Sequence, residues 1–394
     1  MTIAKRAQDI PPFHAIAFFQ QANAIEAEGH HVVKLSLGEP DFGAPPAVRE
    51  AMREAMDGRP LSYTPALGLP ALRQAIAGFY RDKHGVEVDP ARIAITTGAS
   101  SALLLVAAAT TDPGDEVITA DPSYPANQEL VRTFGGTIVS VPTTAESRYQ
   151  LDAASVEAAW TERTTAVMLA SPSNPTGTSV PPAELAAICA LARERGAWRI
   201  VDEIYLDLAD PAPDGTPART VLASDPDAIA VGSFSKYFGM TGWRLGWVVL
   251  PKVLVEPVER LAMHYFLSAS APAQQAALAA FTPESLAISE ERRLELAARR
   301  RIVLDGLAEI GLHVPVEPDG AFYAYFDVTS TGLDAWTFCE RVLREAHVAL
   351  TPGRDFAAAT ANSHVRLSYA ASRAELAEGI ARIGAFLETL RAKR

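Results

Sequence analysis

The sequence is short of cysteine, short of lysine, and without any long apolar run. Its two cysteines, Cys189 and Cys339, each lie in an apolar, helix-like stretch. Two thiols cannot build a metal cluster by themselves, and in a chain of 394 residues they are too few for a disulfide framework. They read as buried thiols of a reducing compartment. The longest apolar run, 102–109, falls far short of the ~20 residues that span a bilayer. Residues 1–12 hold none of the roughly 7–15-residue apolar stretch of a secretory leader, so the expectation is a soluble, cytoplasmic protein with no membrane partner. Basic charge is also in deficit: 35 Lys and Arg stand against 47 Asp and Glu, a net charge of −12. That sign gives no long-range attraction to a nucleic-acid backbone, so nucleic acid is not expected as a partner. Histidine and cysteine nowhere take zinc-ligand spacing, so no metal is expected; the His30-His31 pair after Gly29 reads as a solvated helix end.

What is present is apolar enough to fold. Hydrophobic residues make up 48% of the chain, which excludes disorder over its length. At ~100–200 residues per domain, the length suits one large α/β unit with a smaller partner. Short β-like runs at 92–96, 116–120, 137–141, 165–170, 198–201, 229–232 and 245–250 alternate with helical patterns such as 101–110 and 182–195. Such alternation predicts crossover connections and a mostly parallel sheet flanked by helices. A long charged helix at 283–310 leads into a smaller α+β part with strands at 321–326 and 365–367 and helices at 334–346 and 375–390. The expected division is a large unit at 46–283 and a small one made of 1–45 with 284–394.

In an open α/β sheet, ligands sit at the carboxyl ends of the strands. Those ends carry Thr97-Gly98-Ala99-Ser100, then Asn174, then Asp202 with Tyr205, then Ser233-Phe234-Ser235-Lys236, with Arg244 soon after. Each is an ordinary helix start, turn or polar loop when taken alone. Together they fall on one sheet edge. Lysine is the sharpest signal, because there are only six. Lys5 and Lys393 lie at the termini, Lys83 in the polar end of a helix, Lys252 in a connection, and Lys34 reads as a solvated edge residue. Lys236 alone stands among Ser and Gly at a strand end, and lysine, unlike arginine, forms a Schiff base. The backbone of Ala99 and Ser100 at a helix start, with Ser233, Ser235 and Arg244, offers an anion seat. Asp202 can hold a protonated ring nitrogen. A phosphate, an aldehyde and a pyridine nitrogen together describe pyridoxal 5′-phosphate.

At these residues the chain resembles the class I/II aminotransferases of fold type I, in the bacterial branch with the aspartate and aromatic enzymes. The resemblance runs from about Asp9 to Leu390. Its markers are Ser36-Leu37-Gly38-Glu39-Pro40-Asp41-Phe42, Tyr63, Gly68, Thr97-Gly98-Ala99-Ser100, Asp121-Pro122-Ser123-Tyr124-Pro125, Ser173-Asn174-Pro175-Thr176-Gly177, Asp202-Glu203-Ile204-Tyr205, Ser233-Phe234-Ser235-Lys236, Gly242-Trp243-Arg244-Leu245-Gly246 and Val365-Arg366-Leu367-Ser368. The resemblance implies that Lys236 carries the Schiff base, that Asp202 pairs with the pyridine nitrogen, and that Asn174 and Tyr205 bond its phenolic oxygen. It implies that Tyr124 stacks on the ring. Ser233, Ser235, Arg244 and the Ala99–Ser100 backbone would hold phosphate. Arg366, the Gly38 backbone and Asn174 would meet the substrate. Tyr63 would reach the phosphate of a second copy, implying a homodimer with shared sites. The implied activity is transfer of an amino group from an L-amino acid to a 2-oxo acid.

Aspartate-preferring members of this branch often carry a lysine where Ser100 stands here. The stretch 12–19, which would line the side-chain pocket, is mostly apolar. A pocket without a spare cation disfavours a dicarboxylate, so a neutral, apolar or aromatic donor is expected. An aspartate-type enzyme and a lyase acting on the same fold remain alternatives. A regulator built on this fold is disfavoured, since such proteins carry an added DNA-binding domain.

Overall fold

The computed structural model describes residues 1–212 and 214–393. After a short strand β1 (Val33–Lys34), seven strands form the main sheet: β2 (Ile93–Thr96), β3 (Glu116–Asp121), β4 (Thr137–Pro142), β5 (Thr164–Ala170), β6 (Trp198–Asp202), β7 (Ile229–Ser233) and β8 (Gly246–Val249). Their order across the sheet is β2-β8-β7-β6-β5-β3-β4. From β4 to β7 every pairing is parallel. These inner strands are apolar nearly throughout because helices cover both faces. The helix Ala99–Thr110 is apolar almost all round and sits between the sheet and the helix Lys252–Tyr265.

β8 departs from the expected series. It pairs antiparallel with both β7 and β2. The connection from β7 holds only the 3₁₀ turn Thr241–Trp243 and no crossover helix, so the chain turns back on itself. The carboxyl ends of β2, β5, β6 and β7 and the start of β8 therefore share one edge.

The second sheet is antiparallel, in the order β11-β12-β9. Its strands are β9 (Tyr323–Asp327), β11 (Thr351–Pro352) and β12 (His364–Ser368), with Arg366 opposite Tyr325 on one side and Thr351 on the other. Helix Ala335–Ala346 packs on it, helix Arg373–Ala392 packs on that helix, and the long helix Pro283–Glu309 lies along Arg373–Ala392 and reaches β9. The helix Arg373–Ala392 opens on a capping box between Ser372 and Glu375. β1 pairs in parallel with β10 (Val348–Ala349), placing Val33 beside Val348. A continuous apolar core joins the two sheets, reaching from Ile95 and Val201 through Phe234 to Phe322, Leu367 and Leu387.

Candidate active site

A cavity of about 430 Å³ opens at the shared sheet edge. Of the residues singled out from sequence, Gly38, Ala99, Ser100, Tyr124 and Asn174 line it, as do Asp202, Tyr205, Ser233, Ser235, Lys236, Arg244 and Arg366. Tyr63 does not. It stands exposed on the surface, at 79% of its full area.

Lys236 lies in the turn just past β7, and its Nζ donates to the carbonyl oxygen of Gly38 at 2.5 Å. Burial lowers its pKa to about 8; Arg366 and Arg244 push the same way, against Glu39 and Asp202. Asp202, the last residue of β6, is buried, and burial raises its carboxyl to about 6. Two long hydrogen bonds oppose that, the Ile204 amide donating to Oδ1 and Asn127 Nδ2 to Oδ2, each at 3.3 Å, together with the charge of Lys236. A carboxylate so enclosed and so lightly bonded suits a cationic partner.

At another part of the cavity, Arg244 has left-handed backbone (φ 53°) and donates from Nη1 to Thr241 O at 3.0 Å. Its guanidinium lies against Gly98. A Cβ on Gly98, whose φ is +78°, would stand 2.6 Å from Arg244 Nη2, so only glycine lets the cation approach the start of the helix Ala99–Thr110. The first-turn amides of a helix have no partner within it. Ala99 and Ser100, with Ser233 and Ser235, line the same cavity as Arg244. Ser233 Oγ also accepts from the Ser235 amide at 3.0 Å, which fixes the turn. This is a seat for an anion.

Arg366 comes from the other sheet. It donates from Nη1 to Asn174 Oδ1 at 2.9 Å and from Nη2 to Ser36 O at 2.7 Å. The guanidinium carbon lies 4.6 Å from the Tyr323 ring centre and 4.8 Å from that of Phe356. Two arginines are buried among the described residues. Arg199 is paired with Asp225 at 2.7 Å, whereas Arg366 has no carboxylate partner. Its Nε and the nearby Ser36 Oγ are buried without a hydrogen-bond partner. A buried guanidinium left so incomplete calls for an anionic ligand.

A larger cavity, of about 720 Å³, is lined by Phe79, Lys83, Asp207, Tyr237 and Glu290 among others. Its charges answer one another. Lys83 Nζ lies 2.7 Å from Glu290 and 3.5 Å from Asp207, and Tyr237 donates to Glu290 at 2.7 Å. Lys83 is thus held in an ion-pair cluster, where the sequence suggested a polar helix end. The unsatisfied Arg366 Nε and Ser36 Oγ belong to residues that line the smaller cavity.

Comparison with known proteins agrees with that geometry. The family described as "Aminotransferase class I and II" matches residues 30–383. The chain is 38% identical to the valine–pyruvate aminotransferase of Mycobacterium tuberculosis, over 98% of each protein. It is 36% identical to the aspartate/prephenate aminotransferase of Thermus thermophilus, again over 98% of each. The crystal structure of aspartate aminotransferase from Thermus thermophilus with maleate superimposes with a TM-score of 0.92 at 36% identity, covering 98% of this chain and 99% of that one. The chain belongs to the class I and II aminotransferases.

The cofactor of such an aminotransferase is pyridoxal 5′-phosphate, and the cavity's donor set fits it: an anion seat, a primary amine and a buried carboxylate. Reading strand ends alone missed other parts of the aminotransferase cavity. Tyr205 and Tyr323 share a 2.7 Å hydrogen bond between their hydroxyls, with Tyr323 fully buried. Burial drives the Tyr205 hydroxyl well above its usual pKa and that of Tyr323 to about 12. Tyr323 lies in the apolar run 321–326, where only strand alternation marks it as sharing a face with Tyr325. Asn127, which reaches Asp202, lies inside a helix and carries no local signal.

Proposed function

We propose that this aminotransferase moves the amino group of a neutral, apolar or aromatic L-amino acid to a 2-oxo acid. Lys236, Asp202 and Tyr205 are its catalytic residues. When bound, pyridoxal 5′-phosphate supplies an aldehyde for the amine and a ring that accepts electrons from the substrate Cα. In this reading Ser233, Ser235, Arg244 and the Ala99–Ser100 amides hold its phosphate, Asp202 keeps its ring nitrogen charged, and Tyr124 packs on its face. Asn174 and Tyr205 bond its phenolic oxygen. Arg366 grips the substrate α-carboxylate as a two-pronged donor, supported by the Gly38 backbone and Asn174. Lys236 Nζ would take up and give back the proton in the transfer, and a pKa of about 8 leaves part of its amine unprotonated near neutrality.

One observation carries the donor class. The lining has three cations, Lys236, Arg244 and Arg366, and each already has a task. Around the remaining space stand Phe13, Ala15, Ile16, Phe19 and Leu37, with Ser100 and the acidic Glu39. A second carboxylate would enter without a partner, and desolvating it would go uncompensated. The valine–pyruvate relative supports this reading, and the aspartate/prephenate relative marks the alternative. Steady-state assays with alanine, valine, leucine, phenylalanine and aspartate, each against 2-oxoglutarate and pyruvate, test it. Higher kcat/KM for aspartate than for every apolar donor overturns it.

We also propose a homodimer with shared sites. Arg244 and Ser100 are exposed at the anion seat, so that end is open in a single chain. Tyr63 projects from a firmly held segment: buried Gln274 donates to Thr64 Oγ1 at 2.9 Å and accepts from the Leu69 amide at 2.8 Å. Exposed Met56 and Leu61 flank it. A second copy that covers this face can place its Tyr63 at the open phosphate end. The division into 46–283 and 1–45 with 284–394 belongs to the same proposal and is supported by the two separate sheets. A cytoplasmic setting is supported by two free, buried thiols, Cys189 and Cys339.

A further inference from the structure

The helix His14–Ala27 forms one wall of the cavity through Ala15, Ile16 and Phe19, with Phe13 just before it. Its own sequence gives it a poor start. Phe13 at the N-cap offers no side-chain acceptor, and the first turn contains no acidic residue. The first amides of such a helix need acceptors from elsewhere. Asp355 supplies them from the far end of the chain. Its Oδ1 accepts from the His14 amide at 2.9 Å, and its Oδ2 from the Ala15 amide at 2.6 Å. The His14 ring adds a third contact, Nδ1 to Oδ1 at 2.7 Å. The Asp355 side chain is 2% exposed.

The neighbours of this clamp are those of the substrate end. Asp355 closes the 3₁₀ turn Gly353–Asp355, directly after β11. The next residue, Phe356, lies against the Arg366 guanidinium, and Thr351 Oγ1 accepts from Arg366 Nη2 at 3.3 Å. Away from the cavity, His14 and Phe18 each meet Trp336 edge to face at 5.1 Å. Phe13 contacts Tyr124 in the same manner at 6.1 Å. One short turn thus packs against the carboxylate fork and also fixes the wall on which a donor side chain would rest.

We propose that Asp355 is a positioning residue for donor selectivity: by capping the helix His14–Ala27 from outside, it holds Ile16 and Phe19 at the height where a bulky apolar side chain meets them. This rests on the donor class proposed above. A small side chain such as that of alanine does not reach the wall, so losing the clamp penalises large donors and spares small ones.

The test uses Asp355→Asn in the cofactor-loaded enzyme. Asparagine keeps one acceptor oxygen and turns the other into a donor that faces an amide. The KM for phenylalanine or leucine is expected to rise about tenfold, with kcat and the KM for alanine changed less than twofold. Hydrogen exchange at the amides of residues 14–19 should quicken about tenfold, with β12 unaffected. Asp355→Glu, which keeps both oxygens, should recover most of the selectivity; it also serves as the probe if the asparagine variant does not fold. Equal losses for alanine and phenylalanine, or unchanged exchange in residues 14–19, overturn the role of Asp355. A wild type that prefers aspartate overturns the donor class instead, and the exchange result then judges the clamp alone.

Discussion

Arg366 donates to the side-chain oxygen of Asn174 at 2.9 Å across 192 residues of sequence, and this bond joins the two sheets at the cavity. Asn174 belongs to the loop after β5, and Arg366 to the middle of β12. The guanidinium is therefore aimed before any substrate arrives, with its Nε still unsatisfied. Replacing Arg366 with alanine should lower kcat/KM for every amino donor by about 10²–10³-fold, the usual loss for one side of a buried charged pair. Lysine should recover only part of it, since a point charge cannot form the fork. Half-reactions with amino acid and with 2-oxo acid, measured separately, should show matching losses.

Asp202 predicts a conflict between stability and activity. Its folded pKa of about 6 lies above the ordinary carboxyl value of 3.8. The folded protein thus keeps a proton that the unfolded chain has released between those values, and stability falls as pH rises through that window. The cost is fully expressed above pH 6 and amounts to ~3 kcal/mol. Asp202→Asn should therefore stabilise the cofactor-free protein against urea at pH 8 and have little effect at pH 4. The same change should lower kcat by on the order of 10²–10³-fold, because the electrostatic partner of the ring nitrogen is gone.

For Lys236 the shift runs the other way. With a pKa of about 8, the amine is mostly neutral above that pH and mostly charged below it. The rate at which cofactor-free protein takes up pyridoxal 5′-phosphate should climb from pH 7 and level off near pH 9. An ordinary lysine, with its pKa of about 10.4, would keep gaining about tenfold per pH unit over that range. Stopped-flow absorbance gives the profile, and reductive trapping with peptide mapping should place the label on residue 236. A rate still climbing steeply at pH 10 contradicts the depressed value.

Sharing of Tyr63 is open to complementation. Light scattering should return about twice the 42.1 kDa of one chain. Tyr63→Ala and Lys236→Ala proteins should each be weak or inactive alone. After mixing and exchange of subunits, activity should return, because one site of each hybrid then has both an intact lysine and an intact tyrosine. No recovery in a proven hybrid rules out the shared site.

The parts of the site that could be read from sequence are those with local chemistry. Gly98 before a helix, Asp202 at a strand end and Lys236 among serines each carry their signal within a few positions. Once the sheet order is parallel, the edge they share follows from the fold. What escaped was set by distant partners. Tyr323 looks like core until Tyr205 is placed beside it. Lys83 looks like a solvated helix end, yet it meets Glu290 from 207 residues away. Asp355 caps a helix 340 residues earlier, so neither segment alone predicts the pairing. The reversed direction of β8 depends on the lack of a crossover helix, which the alternation of apolar runs does not register.

The pairing of β1 with β10 has a consequence for how the enzyme is made. Val33 and Lys34 are translated well before the strand they join, Val348–Ala349. The neighbouring Ser36, whose carbonyl receives Arg366, must wait as long. Until that strand is made, the segment 33–36 is therefore without its final neighbours, and its unpaired edge is open to misassociation. A polypeptide truncated before residue 348 would lose more than its tail: the early segment that encloses the donor would have nothing to dock on.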